Sequence, residues 1–167
     1  PTILPPPAMD YMRQIQAQGV VDQLPLVQGA LRRRRQFESV DDAFAYFRTK
    51  KLFSDWSDEA VRVYAEAGTQ PNDAGRELIW SPEWEAYYFS TGFTRSWKVA
   101  SQLRGLLPVL AVGGGTSDTY VPEIADMLRA ELPDATFAEV EGHGHLFPQT
   151  APQQTEAIIS QWLVQLR

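Results

Sequence analysis

The sequence predicts an α/β chain in which a mostly helical first part, residues 1–100, precedes a parallel βαβα unit over residues 101–167. The apolar run Pro108-Val109-Leu110-Ala111-Val112 and the segment Ala135 to Val140 read as strands. Between them, Ile124, Ala125, Leu128 and Leu132 share one face of a helix that Pro122 can open. Strand, helix and strand occupy about 33 residues, the size of one right-handed crossover unit. Both strands run into glycine-containing loops, and capped segments of helical periodicity come before them.

Taken in order, Pro1-Thr2-Ile3-Leu4-Pro5-Pro6-Pro7 reads as a loop leaving a preceding element, and helices are expected over residues 8–18 and 20–35, the second interrupted by Pro25 and Gly29. Ser39-Val40-Asp41-Asp42 has capping-box character. Val40, Ala43, Phe44 and Phe47 follow at helical spacing, with Lys50-Lys51 at the end where the dipole favours cations. Ser57 can cap the next helix, with Asp58 and Glu59 in its first turn, Ala60, Val63, Tyr64 and Ala67 on one face, and Gly68 as its stop. Thr69 to Gly75 is a cluster of turn residues, and Glu77 to Trp80 is short and extended. Pro82 opens a helix to about Phe89, and another spans Thr94 to Leu103. After the two strands, a capping box at Thr150-Ala151-Pro152-Gln153 begins a last helix with Ile158, Ile159, Trp162, Leu163 and Leu166 inward. Pro108 to Val112, being continuously apolar, is expected to be buried on both faces.

The loops carry the chemistry. One strand runs into Gly113-Gly114-Gly115-Thr116-Ser117-Asp118 and the other into Gly142-His143-Gly144-His145-Leu146-Phe147-Pro148. Ligands of parallel α/β sheets bind outside the carboxyl ends of the strands, where an acid and a histidine would converge. These loops resemble those of the α/β-hydrolases, where the acid follows a strand in a G-x-x-S-D loop and the histidine sits in a G-x-G-H-x-x-P loop. The resemblance implies Asp118 as acid and His145 as base of a serine, acid, histidine triad. Residues 9–100 are similar to the helical cap such enzymes insert before their last strands, so the likeness covers nearly the whole chain. His143 departs from the family pattern, in which that position is small.

The nucleophile is absent. No G-x-S-x-G and no H-G-G-G-like oxyanion segment occurs, and without cysteine a thiol mechanism is excluded. The expectation is therefore the C-terminal portion of an α/β-hydrolase, inactive alone, whose serine lies on a missing N-terminal half. The resemblance implies ester hydrolysis. An epoxide hydrolase or dehalogenase with an aspartate nucleophile, and a non-catalytic fragment or interaction subunit, stand as alternatives. Two strands alone leave one edge unpaired, so association with the missing half or with itself is expected.

Other signals weigh less. A net charge of −6 disfavours nucleic acid as partner. No apolar run of about eighteen residues and no signal-like stretch appears, so no membrane association and a cytoplasmic location are the expectations. His143, His145 and Asp118 are too few ligands for a metal, and no cofactor is expected. Gly113-Gly114-Gly115 lacks the ending of a P-loop and is read as a tight turn. Arg32-Arg33-Arg34-Arg35 is read as a solvated helix end. Of Trp80, Trp84, Tyr87, Tyr88, Phe89, Phe93 and Trp97, most are expected in the core. Trp84, Tyr88 and Phe147 are the candidate substrate-binding residues, lining an apolar acyl or aryl pocket for a small ester-like substrate.

Overall fold

The computed structural model describes residues 4–92 and 94–166. Pro1-Thr2-Ile3 of the expected opening loop, and Phe93 of the aromatic group, lie outside the described residues. The chain forms two compact units, Tyr11–Gly92 and Phe93–Arg167 together with Pro1–Asp10.

Helix α1 (Pro6–Gln18) begins inside the run expected to be a loop. Proline fits a first helical turn because the missing N–H has no partner there in any case. The same reason makes Pro25 a beginning rather than an interruption: after a 3-10 turn at Val21–Gln23, α2 (Pro25–Leu31) starts on it and runs through Gly29. Strand β1 (Gln36–Phe37) follows, then α3 (Val40–Arg48), where Ser39 caps as expected by accepting from the Asp42 N–H at 3.1 Å. The helix stops at Arg48, short of Lys50-Lys51.

Helix α4 (Asp58–Ala67) is capped by Ser57, which accepts from the Ala60 N–H at 3.1 Å. Its buried face differs from the expected one, however. Val61 and Ala65 are buried, whereas Val63 and Ala67 are exposed. The helix is turned by the ring cluster it meets, in which Tyr64 lies 5.1 Å from Phe47 and 4.9 Å from Phe53, with Trp56 closing against Phe53 at 5.0 Å. Offset and edge-on rings at such separations add to the area they bury. This cluster, not the later aromatics, is the core of the first unit.

The expected turn cluster is instead half of a hairpin. β2 (Thr69–Asn72) and β3 (Gly75–Leu78) pair antiparallel around Asp73-Ala74, and β1 joins the other side of β3 to give the order β1-β3-β2. Pro71 is accommodated because β2 is an edge strand. At Gly75, with φ +119°, an added Cβ would meet the Phe37 carbonyl oxygen at 2.5 Å, so only glycine fits.

Helix α5 (Pro82–Ser90) packs on α2 through Ala86, Val27 and Ala30, with Leu24 and Phe89 alongside. Small residues at the crossing bring the helices close and leave the large rings outside. Trp80, Trp84, Tyr87 and Tyr88 are therefore exposed, contrary to the expectation of core packing. The arginine run follows the end of α2 with Arg32, Arg34 and Arg35 exposed, as expected of a solvated helix end, but three of its members are also paired. Arg33 pairs with Glu85, Arg35 with Glu83, and Arg34 with Asp42, one of its hydrogen bonds measuring 3.0 Å. Burial opposes the Arg33 charge, but its bonds to Glu85 and Tyr64 outweigh this and hold its pKa above the ordinary arginine value.

In the second unit, α6 (Ser96–Ser101) leads to β4 (Leu110–Gly114), α7 (Pro122–Glu131) and β5 (Thr136–Val140). β4 and β5 are parallel, in register from Leu110 opposite Thr136 to Gly114 opposite Val140. Ile124, Ala125, Leu128 and Leu132 are buried as their spacing required, packing with Ala100, Val109, Tyr120 and Phe137. Burial of each large aliphatic side chain contributes about 1.5–3 kcal/mol. Leu110, Ala111 and Val112 are only half-buried, so β4 is not covered on both faces. Among the described residues its second edge has no strand partner.

A four-residue helix, α8 (Phe147–Thr150), and a longer one, α9 (Pro152–Gln165), complete the chain. The expected capping box is absent, because Ala151 occupies the cap position and the Thr150 hydroxyl is engaged elsewhere. Ile159, Leu163 and Leu166, expected inward, are exposed; Ile158 and Trp162 are half-buried. No helix of the described residues is long and apolar enough to cross a membrane.

Candidate functional site

The carboxyl ends of β4 and β5 lie side by side, so the loops leaving them are neighbours. Two backbone hydrogen bonds stitch them and a third tightens the first loop on itself. The Gly115 N–H donates to the Val140 carbonyl at 3.0 Å, the Thr116 N–H to the His143 carbonyl at 3.0 Å, and the Ser117 N–H to the Gly114 carbonyl at 3.0 Å. The glycines of the first loop serve close approach rather than a tight turn: none of Gly113, Gly114 and Gly115 has a positive φ. A Cβ on Gly114 would stand 2.2 Å from the Gly144 carbonyl oxygen and 2.5 Å from that of His143, and one on Gly113 would enter the Tyr120 ring at 2.1 Å. Backbone cannot yield there without separating the loops.

Beyond the glycines, Ser117 Oγ accepts from the N–H groups of Thr119 and Tyr120 at 3.2 and 3.0 Å, folding the chain back around Asp118. The Tyr120 ring covers Gly113. Burial raises its pKa, opposed by Arg129 and reinforced by Glu139, so it is a neutral phenol at ordinary pH.

Asp118 and His145 meet. His145 Nδ1 lies 3.2 Å from Asp118 Oδ1, with the carboxylate side chain 82% exposed and the imidazole 43% exposed. In the neutral ring this geometry favours the tautomer with hydrogen on Nδ1, donating to the carboxylate and leaving the Nε2 lone pair free to accept a proton. No described residue hydrogen-bonds Nε2. His143 does not join the pair. Its Nδ1 and the Thr150 hydroxyl share a hydrogen bond of 2.8 Å, a contact that no motif or spacing in the sequence signals.

Phe147 opens α8, half-buried, with its N–H donating to the Gly144 carbonyl at 3.1 Å. Trp84 and Tyr88 lie on α5 in the other compact unit, 64% and 59% exposed, with Trp84 edge-on to Tyr87 and Tyr88 edge-on to Trp80. Among the described residues no three histidine, aspartate or glutamate side chains converge as metal ligands.

No protein-family model and no curated protein matches the sequence. Solved structures do. E-2-(acetamidomethylene)succinate hydrolase superposes with a TM-score of 0.69 at 22% identity, covering 98% of this chain and 54% of that one. An esterase from Mycobacterium tuberculosis gives 0.64 at 17% identity, covering 97% and 52%. A peroxisomal α/β-hydrolase from Saccharomyces cerevisiae gives 0.66 at 13% identity, covering 82% and 38%. This chain carries part of the α/β-hydrolase fold. It spans about half the length, or less, of these α/β-hydrolases. Likeness at such identities is a likeness of backbone, so the chemistry rests on the residues at the two loops.

Proposed function

We propose that the chain supplies the acid and the base of an ester-hydrolysing α/β-hydrolase, Asp118 and His145, and that the nucleophilic serine comes from a segment outside these 167 residues. The observation that carries this reading is the 3.2 Å approach of His145 Nδ1 to Asp118 Oδ1 on loops leaving adjacent parallel strands. The likeness of fold to an esterase supports the reaction class.

In this mechanism the serine oxygen attacks the acyl carbon while His145 Nε2 takes its proton. Asp118 holds the ring and stabilises the imidazolium, and backbone amides of the supplied segment hold the oxyanion. The alcohol leaves with the proton from His145. Water then attacks the acyl-enzyme by the same route, its proton passing to His145 and returning to the serine as the acid departs.

Phe147, whose N–H is bonded to the Gly144 carbonyl of the histidine loop, binds the apolar acyl or aryl part of the substrate in this reading, since ligand sites are mostly apolar with few polar groups. The partner is the nucleophile-bearing segment or a second copy of the chain, supported by the open edge of β4.

The test is turnover of p-nitrophenyl acetate by the assembled hydrolase. Asp118→Asn and His145→Ala are each expected to lower kcat by about 10⁴-fold. Undiminished kcat in His145→Ala overturns the proposal.

A further inference from the structure

The 2.8 Å bond between His143 Nδ1 and the Thr150 hydroxyl closes the loop that carries His145. The two residues bracket it, one at its start and the other at the end of α8. His143 also faces the opposite way through its backbone, because its carbonyl accepts from the Thr116 N–H at 3.0 Å. One residue thus fastens the histidine loop to the acid loop by its main chain and to α8 by its ring. Gly114 completes the junction, its lack of a side chain letting the His143 and Gly144 carbonyls close in.

His145 has little else to hold it. Its ring is substantially exposed and makes its hydrogen bond to a carboxylate that is itself mostly in solvent. An exposed pair of this kind fixes geometry weakly, since solvent competes for both partners. Proton transfer, by contrast, needs the base held close to its productive position, and an error of about 1 Å can cost about 10²-fold. The rigidity has to come from the loop.

The geometry points to His143 as a positioning residue: through its bond to Thr150 it sets the placement of His145 against Asp118, without touching substrate. This rests on the hydrolase reading above and adds to it a second histidine with a different task. Nδ1 is bonded to Cγ, so an asparagine amide can occupy the same place, whereas alanine cannot.

The experiment compares His143→Ala, His143→Asn, Thr150→Val and the double variant His143→Ala/Thr150→Val in the assembled hydrolase, with His145→Ala as control. His143→Ala and Thr150→Val are expected to lower kcat about 10- to 100-fold with KM within about twofold of the parent. His143→Asn should recover to within about threefold of the parent. The double variant should be no slower than the worse single one, because both remove the same bond. Parental kcat in His143→Ala, a loss confined to KM, failure of asparagine to rescue, or multiplicative losses in the double variant would each overturn the assignment. If His145→Ala is inactive while His143→Ala is unaffected, only the positioning role fails. If His145→Ala keeps full activity, the hydrolase reading fails first.

Discussion

At the scale of single residues, the acidic cap of α3 shows how one carboxylate can serve several donors. Asp42 accepts from the Glu38 N–H at 2.9 Å and from Arg34, while its own N–H donates to Ser39 Oγ. The Glu38 bond first, then the Arg34 bond, hold its pKa below the ordinary aspartate value of 3.8. A depressed pKa means the folded state favours the ionised form, so the stabilisation is fully present above the unfolded value and disappears as pH falls through the folded one. Asp42→Asn is accordingly expected to lower Tm at neutral pH, with the gap to the parent closing as pH falls below the ordinary aspartate range. Thermal unfolding followed by circular dichroism across pH checks this, and a gap independent of pH would contradict it. The sequence revealed Ser39 as a cap because that bond is local. Arg34 comes from outside the helix, and no spacing rule announces it.

Among the elements, α7 and α5 make opposite lessons. α7 meets one apolar neighbourhood along its whole length, so Ile124, Ala125, Leu128 and Leu132 turn inward as their period requires. α5 has bulky rings on several sides, and its buried stripe is formed by Pro82 and Ala86. The exposed Trp80, Trp84, Tyr87 and Tyr88 gather into two edge-on pairs, a surface suited to an apolar partner or substrate group. In the assembled hydrolase, Trp84→Ala and Tyr88→Ala are expected to raise KM for bulky aryl esters about three- to tenfold, with a smaller change for acetate esters. Steady-state kinetics over an ester series tests it; KM values unchanged from the parent across the series would remove these rings from substrate binding. Their exposure follows from the close α2–α5 crossing, which no window of α5 alone contains.

The whole molecule is divided between an antiparallel sheet with an aromatic core and a parallel pair flanked by helices. A parallel sheet normally lies under cover on both faces. Here β4 has one open edge among the described residues, Leu106 is 71% exposed in the turn before it, and Ile159 and Leu163 of α9 are exposed as well. Purified chain is therefore expected to associate, with the nucleophile-bearing segment or with itself, and to show no ester turnover by itself. Light scattering that returns a single 18.8 kDa species at micromolar concentration would contradict the association. Robust turnover by the isolated chain would contradict the need for an external nucleophile.

The sequence by itself determined the crossover unit, the serine caps of α3 and α4, and the two loops that bear Asp118 and His145. All of these depend on interactions within a few residues, or on a period repeated along one element. Tertiary structure decided which face of α4 is buried, that Thr69 to Gly75 pairs as a hairpin, that Arg33, Arg34 and Arg35 are partnered, and that His143 reaches Thr150. Each of those depends on a group brought near by folding, whose position is set by packing elsewhere in the chain. Gly114 joins the two accounts: visible in the sequence as one of three glycines, it is required because backbone from another loop fills the space where a side chain would stand.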